Sequence, residues 1–124
     1  MSINPKFTVF LTAYIECALW STTDNSDESG GDPLDNNYSP DDLHFKTFEQ
    51  MERDCREFWT EHKAVLSRDP GRGGYDFWLT RCDHGAGFWD GHWSDENGKR
   101  LTDASRAYGN VDLYVGDDGK IYSS

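Results

Sequence analysis

Five side chains able to ligate a metal or move a proton, Cys82, Asp83, His84, Asp90 and His92, fall within eleven positions. A zinc site needs three or four such ligands, usually with paired spacings such as CxxC or HxxxH that bring neighbours together from one turn or one helix face. Here the two histidines stand eight apart, so the spacing predicts hydrogen-bonding turn residues rather than a metal centre, and no cofactor is expected. Nucleophilic catalysis would need a cysteine beside a histidine that a third group orients. Cys82 and His84 are the local pair of that kind, whereas Cys17 and Cys55 fall on apolar helical faces where a thiol packs as a small hydrophobe. No Gly-x-Ser-x-Gly elbow or phosphate loop accompanies them. A non-enzymatic protein is therefore the first expectation. A metal-dependent or Cys/His enzyme built on residues 82–92 is the second.

A calcium loop is the other metal chemistry to weigh. Asp24 to Asp32 is rich in carboxylates, and a frame starting at Asn25 puts Gly30 in the sixth position. Its twelfth position is Asn36, where a bidentate Glu is required, so the segment reads as a solvated loop.

The elements that must hold these residues follow from periodicity. From Lys6 to Ser21, Phe7, Phe10, Leu11, Tyr14 and Ala18 repeat at helical spacing while Val9, Ile15, Leu19 and Trp20 add other faces, which predicts a helix buried on most sides. Residues 22–38 are polar, acidic and aperiodic, an expected exposed loop. Ser39, Pro40, Asp41 and Asp42 combine a cap, a first-turn proline and two acids at the positive end of a helix dipole, so a second helix is expected from there to about Ser67. Phe48, Met51, Cys55, Phe58, Trp59, His62 and Leu66 mark its apolar face. Pro70 and the glycines at 71, 73 and 74 then read as a break. Tyr75–Thr80 and Ala86–Trp89 read as two strands around a turn at 81–85. Thr102–Tyr108 reads as a short helix stopped by Gly109, and Val111–Val115 and Lys120–Tyr122 as a hairpin about Asp118-Gly119. The expected fold is a single α+β domain over residues 1–124, in the order ααββαββ, with an antiparallel sheet of two β-hairpins packed against two longer helices and a short third helix. Trp78, Phe88, Trp89 and Trp93 would then divide between the core and an outward face, where an aromatic flanked by Arg81 and Asp90 suits a protein partner.

Asp76-Phe-Trp-Leu-Thr-Arg81, His84-Gly-Ala-Gly-Phe-Trp-Asp90 and Val111-Asp-Leu-Tyr-Val-Gly-Asp-Asp-Gly-Lys-Ile-Tyr122 resemble a family of short acidic proteins encoded in bacteriophage genomes. The resemblance extends to the Leu-Trp-Ser ending the first helix, to Asp-Asn-Asn-Tyr-Ser-Pro from Asp35 and to the capped second helix. The family pattern has Asn-Gly where this chain has Cys82-Asp83. What it implies is a phage context without an assigned activity.

Charge narrows the partners. The net charge of -11 opposes direct binding to nucleic acid phosphates and to anionic membranes, which favour surplus Lys and Arg. A domain of this length is about 35 Å across. Duplex DNA of that length carries about 20 phosphates at one per ~1.7 Å, a number that the 23 acids can match if the 12 Lys and Arg are segregated from them. An acidic face that mimics nucleic acid is thus one expected mode of action, and Asp24 to Asp42 contains no Lys or Arg. The odd cysteine count predicts a reduced, cytoplasmic setting. No leader-like opening and no apolar run near ~20 residues predicts a soluble, unexported chain. The leading functional expectation is a phage protein that binds and modulates or inhibits a host protein, as an anti-defence factor for example; a structural or virion-associated module is a further one. The candidate partner-binding residues are Asp27, Glu28, Asp32, Asp35, Asp41 and Asp42 in the acidic segment, with Trp78, Arg81, Asp83, His84, Trp89 and Asp90 in the aromatic one.

Overall fold

In a computed structural model that describes residues 4–24 and 31–124, the chain begins with helix α1, Pro5–Ser21. Asn4 caps it by accepting from the amides of Lys6 and Phe7, and Pro5 needs no partner for the amide hydrogen it lacks. Phe7, Phe10, Ala13, Tyr14, Ile15, Cys17, Ala18 and Leu19 are buried, whereas Val9 and Trp20, expected to add covered faces, are exposed.

Ser39 and Asp42 form the expected reciprocal cap, Ser39 N donating to Asp42 Oδ2 at 2.8 Å and Asp41 N to Ser39 Oγ at 3.3 Å. They cap a single 3-10 turn, Pro40–Asp42, and helix α2 starts later, at Phe45, and runs to Leu66. The intervening Leu43 is buried and pairs with Ile121, which pulls the chain off the helical path before His44 caps α2. The described parts of the loop expected at 22–38 are also more structured than their composition suggests. Thr23 bridges to Pro33, and Leu34 enters the core at the head of a 3-10 turn over Leu34–Asn36.

The expected hairpin over 75–89 is not formed. Pro70–Arg81 is helix α3, capped by Asp69, whose carboxylate accepts from the Arg72 amide. Gly73 and Gly74, read as loop residues, are the surface that lets α3 lie against α1: a Cβ on Gly74 would stand 2.2 Å from the Phe10 carbonyl oxygen. Contact with α1 thus overrides the low helix propensity of glycine. Residues 82–94 are irregular, and Asp95–Arg106 is helix α4, capped by Ser94 and longer than the helix expected from Thr102. Gly98 is buried within it, against the Phe88 carbonyl.

Strands β1, Leu113–Val115, and β2, Ile121–Ser123, form the C-terminal hairpin with Tyr114 opposite Tyr122. Among the described residues the architecture is four α-helices and this one two-stranded sheet, in the order ααααββ. Phe10, Tyr14, Phe58, Phe77 and Tyr108 pack ring on ring at the centre, Phe58 and Phe77 nearly parallel with centroids 4.0 Å apart. No helix of the described residues is long and apolar enough to cross a membrane.

Candidate functional site

The segment that follows α3 carries most of the chemistry-bearing residues, and its shape starts from how α3 ends. The His84 amide reaches back to the Leu79 carbonyl at 3.1 Å and the Asp83 amide to Thr80 at 3.2 Å, the two bonds of a Schellman cap. Such a cap needs a left-handed residue, and Asp83 supplies it at φ 56°. Asp83 and His84 are thereby turned out to solvent, while Arg81, one residue inside the helix, is turned in.

Arg81 is 7% exposed and committed to the interior. Its guanidinium donates to Asp54 Oδ2 at 2.9 Å, Tyr14 Oη at 3.1 Å, and the Gly109 and Tyr108 carbonyls, and it lies against the Phe77 and Tyr108 rings. Trp78 is 1% exposed and donates its indole N–H to Ser21 Oγ at 2.8 Å. Both are therefore framework residues.

A second polar network fixes the rest of the segment. Arg72 donates to both oxygens of Asp76 and both oxygens of Asp90, the latter at 2.8 Å each. Trp93 Nε1 donates to Asp76 Oδ2 at 2.7 Å, and His92 Nε2 stands 2.9 Å from Asp69 Oδ2. Burial pushes the Asp76 carboxyl up, opposed by the Trp93 and Arg72 donors. Asp90 and His92 are thus drawn toward the start of α3, away from Cys82, whose thiol faces the Val111 carbonyl at 3.7 Å. Among the described residues no group of three His, Cys, Asp or Glu side chains converges on a possible metal position. Burial raises the pKa of all three thiols, that of Cys17 to about 12, so each is protonated at neutral pH.

Two clefts flank what remains exposed. One, of about 690 Å³, runs past Cys82, Asp83 and His84 between the end of α1 and Asn110–Leu113, and is mostly polar in its side chains. The other, of about 320 Å³, lies between Trp89 and α4 with Phe88 and Trp93 behind it. Arg106 sits between them: its guanidinium lies over the Trp89 ring at 5.4 Å and within 3.8 Å of Asp83. Trp89 is 41% exposed. The structure therefore brings Asp83 and Trp89 to one surface, with His84 beside Asp83. The residue that joins them, Arg106, carried no sequence signal beyond a charge near a helix end.

The acidic candidates lie elsewhere. Asp32, Asp35 and Asp41 are exposed and Asp42 is half-buried in its cap, while Asp27 and Glu28, with most of the calcium-like loop, fall outside the described residues. No protein-family profile, curated protein or solved structure matches the chain.

Proposed function

We propose that this chain is a non-catalytic binding protein that engages and modulates a basic protein partner. The observation that carries the reading is Trp89, a large aromatic left substantially exposed on a braced segment, with Arg106 over its ring and Asp103 in the same cleft. Exposed aromatics with polar surroundings are the side chains most often found to dominate binding energy at protein interfaces. The acid excess sets the sign of the partner and speeds encounter with a basic surface. The phage resemblance makes a host protein in the cytoplasm of an infected bacterium the partner to seek. In the nucleic-acid mimicry form of this reading, an anti-defence factor for instance, Asp32, Asp35, Asp41 and Asp42 stand in for phosphates.

Affinity capture from bacterial lysate tests it. The expected result is one host protein retained by the wild type, released by rising salt, and reduced at least about tenfold by Trp89→Ala, the scale of an aromatic hot spot. Cys82→Ser and His84→Ala should capture as well as the wild type. Repeated capture of no specific protein, or capture indifferent to Trp89 and to salt, would sink the proposal.

A further inference from the structure

Sharing no residue with the Trp89 cleft, the end of α1, the 35–40 segment and Tyr75 of α3 enclose a groove of about 280 Å³, room for one side chain rather than a drug-sized ligand. Trp20, 56% exposed, Tyr75, 37% exposed, and Tyr38 line it above a floor at Leu19, and Glu16 and Asp35 stand at its margin. Both carboxylates act on Tyr75: after burial and Cys17, their charges hold its hydroxyl above the usual phenol range. Neither carboxylate is in an ion pair among the described residues.

Three features give the groove a cationic preference. Aromatic faces attract cations through their quadrupole, and guanidinium adds a plane that stacks. Two carboxylates add charge. The C-terminal end of the α1 dipole is negative, and α1 has no basic residue in its last turn. Elsewhere the molecule satisfies such rings from within, Arg56 lying over Phe7 at 4.5 Å and Arg106 over Trp89 at 5.4 Å. Every Lys and Arg of the chain lies in the described residues, and none of them lines this groove.

We infer that the Trp20–Tyr75 groove receives an arginine side chain from a basic partner segment, its guanidinium against the aromatic rings and paired with Glu16 and Asp35. This rests on the reading of a basic partner, but the pocket is testable without that partner. The full chain is titrated at low salt with the peptide acetyl-Gly-Arg-Gly-Arg-Gly-amide while the tryptophan indole N–H signals are followed by NMR. The Trp20 signal should shift while that of Trp89 stays. Trp20→Ala and the double variant Glu16→Gln/Asp35→Asn should each weaken binding at least about fivefold, the scale of one cation–π contact, and Trp20→Phe should restore most of it. The lysine peptide should bind more weakly, and the neutral citrulline peptide should not bind.

Equal binding of the lysine or citrulline peptide, or shifts centred on Trp89, would overturn the assignment. So would unchanged affinity in Glu16→Gln/Asp35→Asn, which leaves the apolar packing intact. Peptide binding here without capture of any host protein would remove the proposed function and leave the groove. Capture through Trp89 with no peptide response at Trp20 would do the reverse.

Discussion

Arg81 on α3 and Asp54 on α2 meet 2.9 Å apart across the core, both largely shielded from water. Gln50 completes the arrangement by donating to the other Asp54 oxygen at 2.9 Å. A buried ion pair gains little over a well-packed apolar pair, yet losing one partner strands the other charge. Arg81→Met should therefore lower stability by about 3–5 kcal/mol, read from urea unfolding. The double variant Arg81→Met/Asp54→Leu should recover part of the loss. An Arg81 variant that keeps full stability but loses partner binding would return this residue to the surface role its charge suggested.

Gly74 is the closest point between α1 and α3. Its missing Cβ leaves room for the Phe10 carbonyl and the Tyr14 amide, which are backbone atoms and cannot rotate aside. Gly74→Ala should cost at least about 2 kcal/mol despite the better helix propensity of alanine, because overpacking outweighs it. Gly71→Ala, where the nearest atom to a Cβ is a Val9 methyl at 3.7 Å, should be neutral or mildly stabilising. Thermal melts of the two variants side by side decide the point.

These two positions also show why α3 was hard to read. Asp69-Pro70 is a start signal as good as Ser39-Pro40, but beside Gly71, Gly73 and Gly74 it passes for the end of the preceding helix. The short apolar run at Phe77, Trp78 and Leu79 does not separate strand from helix by period. Gly74 is explained by the facing backbone of α1 and Gly73 by the Leu66 and Phe10 side chains, and the contacts with α1 join residues some sixty positions apart. By contrast, α1, the end of α2 and the turn at Gly119, with φ 77°, rest on neighbouring residues alone and were legible. At the candidate site, the density of groups in 82–92 was legible in the sequence, but not where each of them faces. That depended on Arg72 and Arg106, whose reach across the fold no local spacing announces.

Asp83 holds its left-handed conformation without the freedom of glycine, a cost that the Schellman geometry imposes on any other residue. Asp83→Gly should stabilise the fold by about 0.5–1 kcal/mol, the strain relieved exceeding the lost attraction to Arg106 at 3.8 Å. A lower melting temperature in Asp83→Gly would show that the Arg106 contact outweighs the backbone term.

His62 gives the fold a dependence on pH. Burial lowers its pKa against the opposing pull of Glu61, whose carboxylate stands 3.6 Å from Nε2; among the described residues that nitrogen has no hydrogen-bond partner, and the ring packs against Phe58 at 4.7 Å. Below about pH 6.5 the unfolded chain takes up a proton at this position, whereas the folded chain does so only at lower pH. Its contribution to stability is thus complete above that value and is lost as the pH falls through the folded pKa. Urea midpoints measured between pH 7.5 and 5 should fall less steeply in His62→Phe than in the wild type. Parallel curves for the two proteins would contradict this.

Thiol chemistry offers a further check. Cys17 and Cys55 are buried and Cys82 is partly accessible, with all three held protonated by burial. A chromogenic disulfide reagent at pH 8 should modify Cys82 slowly and the other two only after denaturant is added. Rapid reaction of any thiol in the native protein would reopen the possibility of a cysteine nucleophile.

The separation of α1 from α3 in the chain has a consequence for biosynthesis. Trp78 bonds Ser21 from 57 residues away and Arg81 bonds Tyr14 from 67, so the interface covering α1 cannot close until α3 has been made. At ~5–20 residues per second, an emerging chain would carry the α3-facing side of α1 uncovered for roughly 3–12 s. Ribosome-bound chains halted after α2 should therefore recruit chaperones more strongly than chains halted beyond α3.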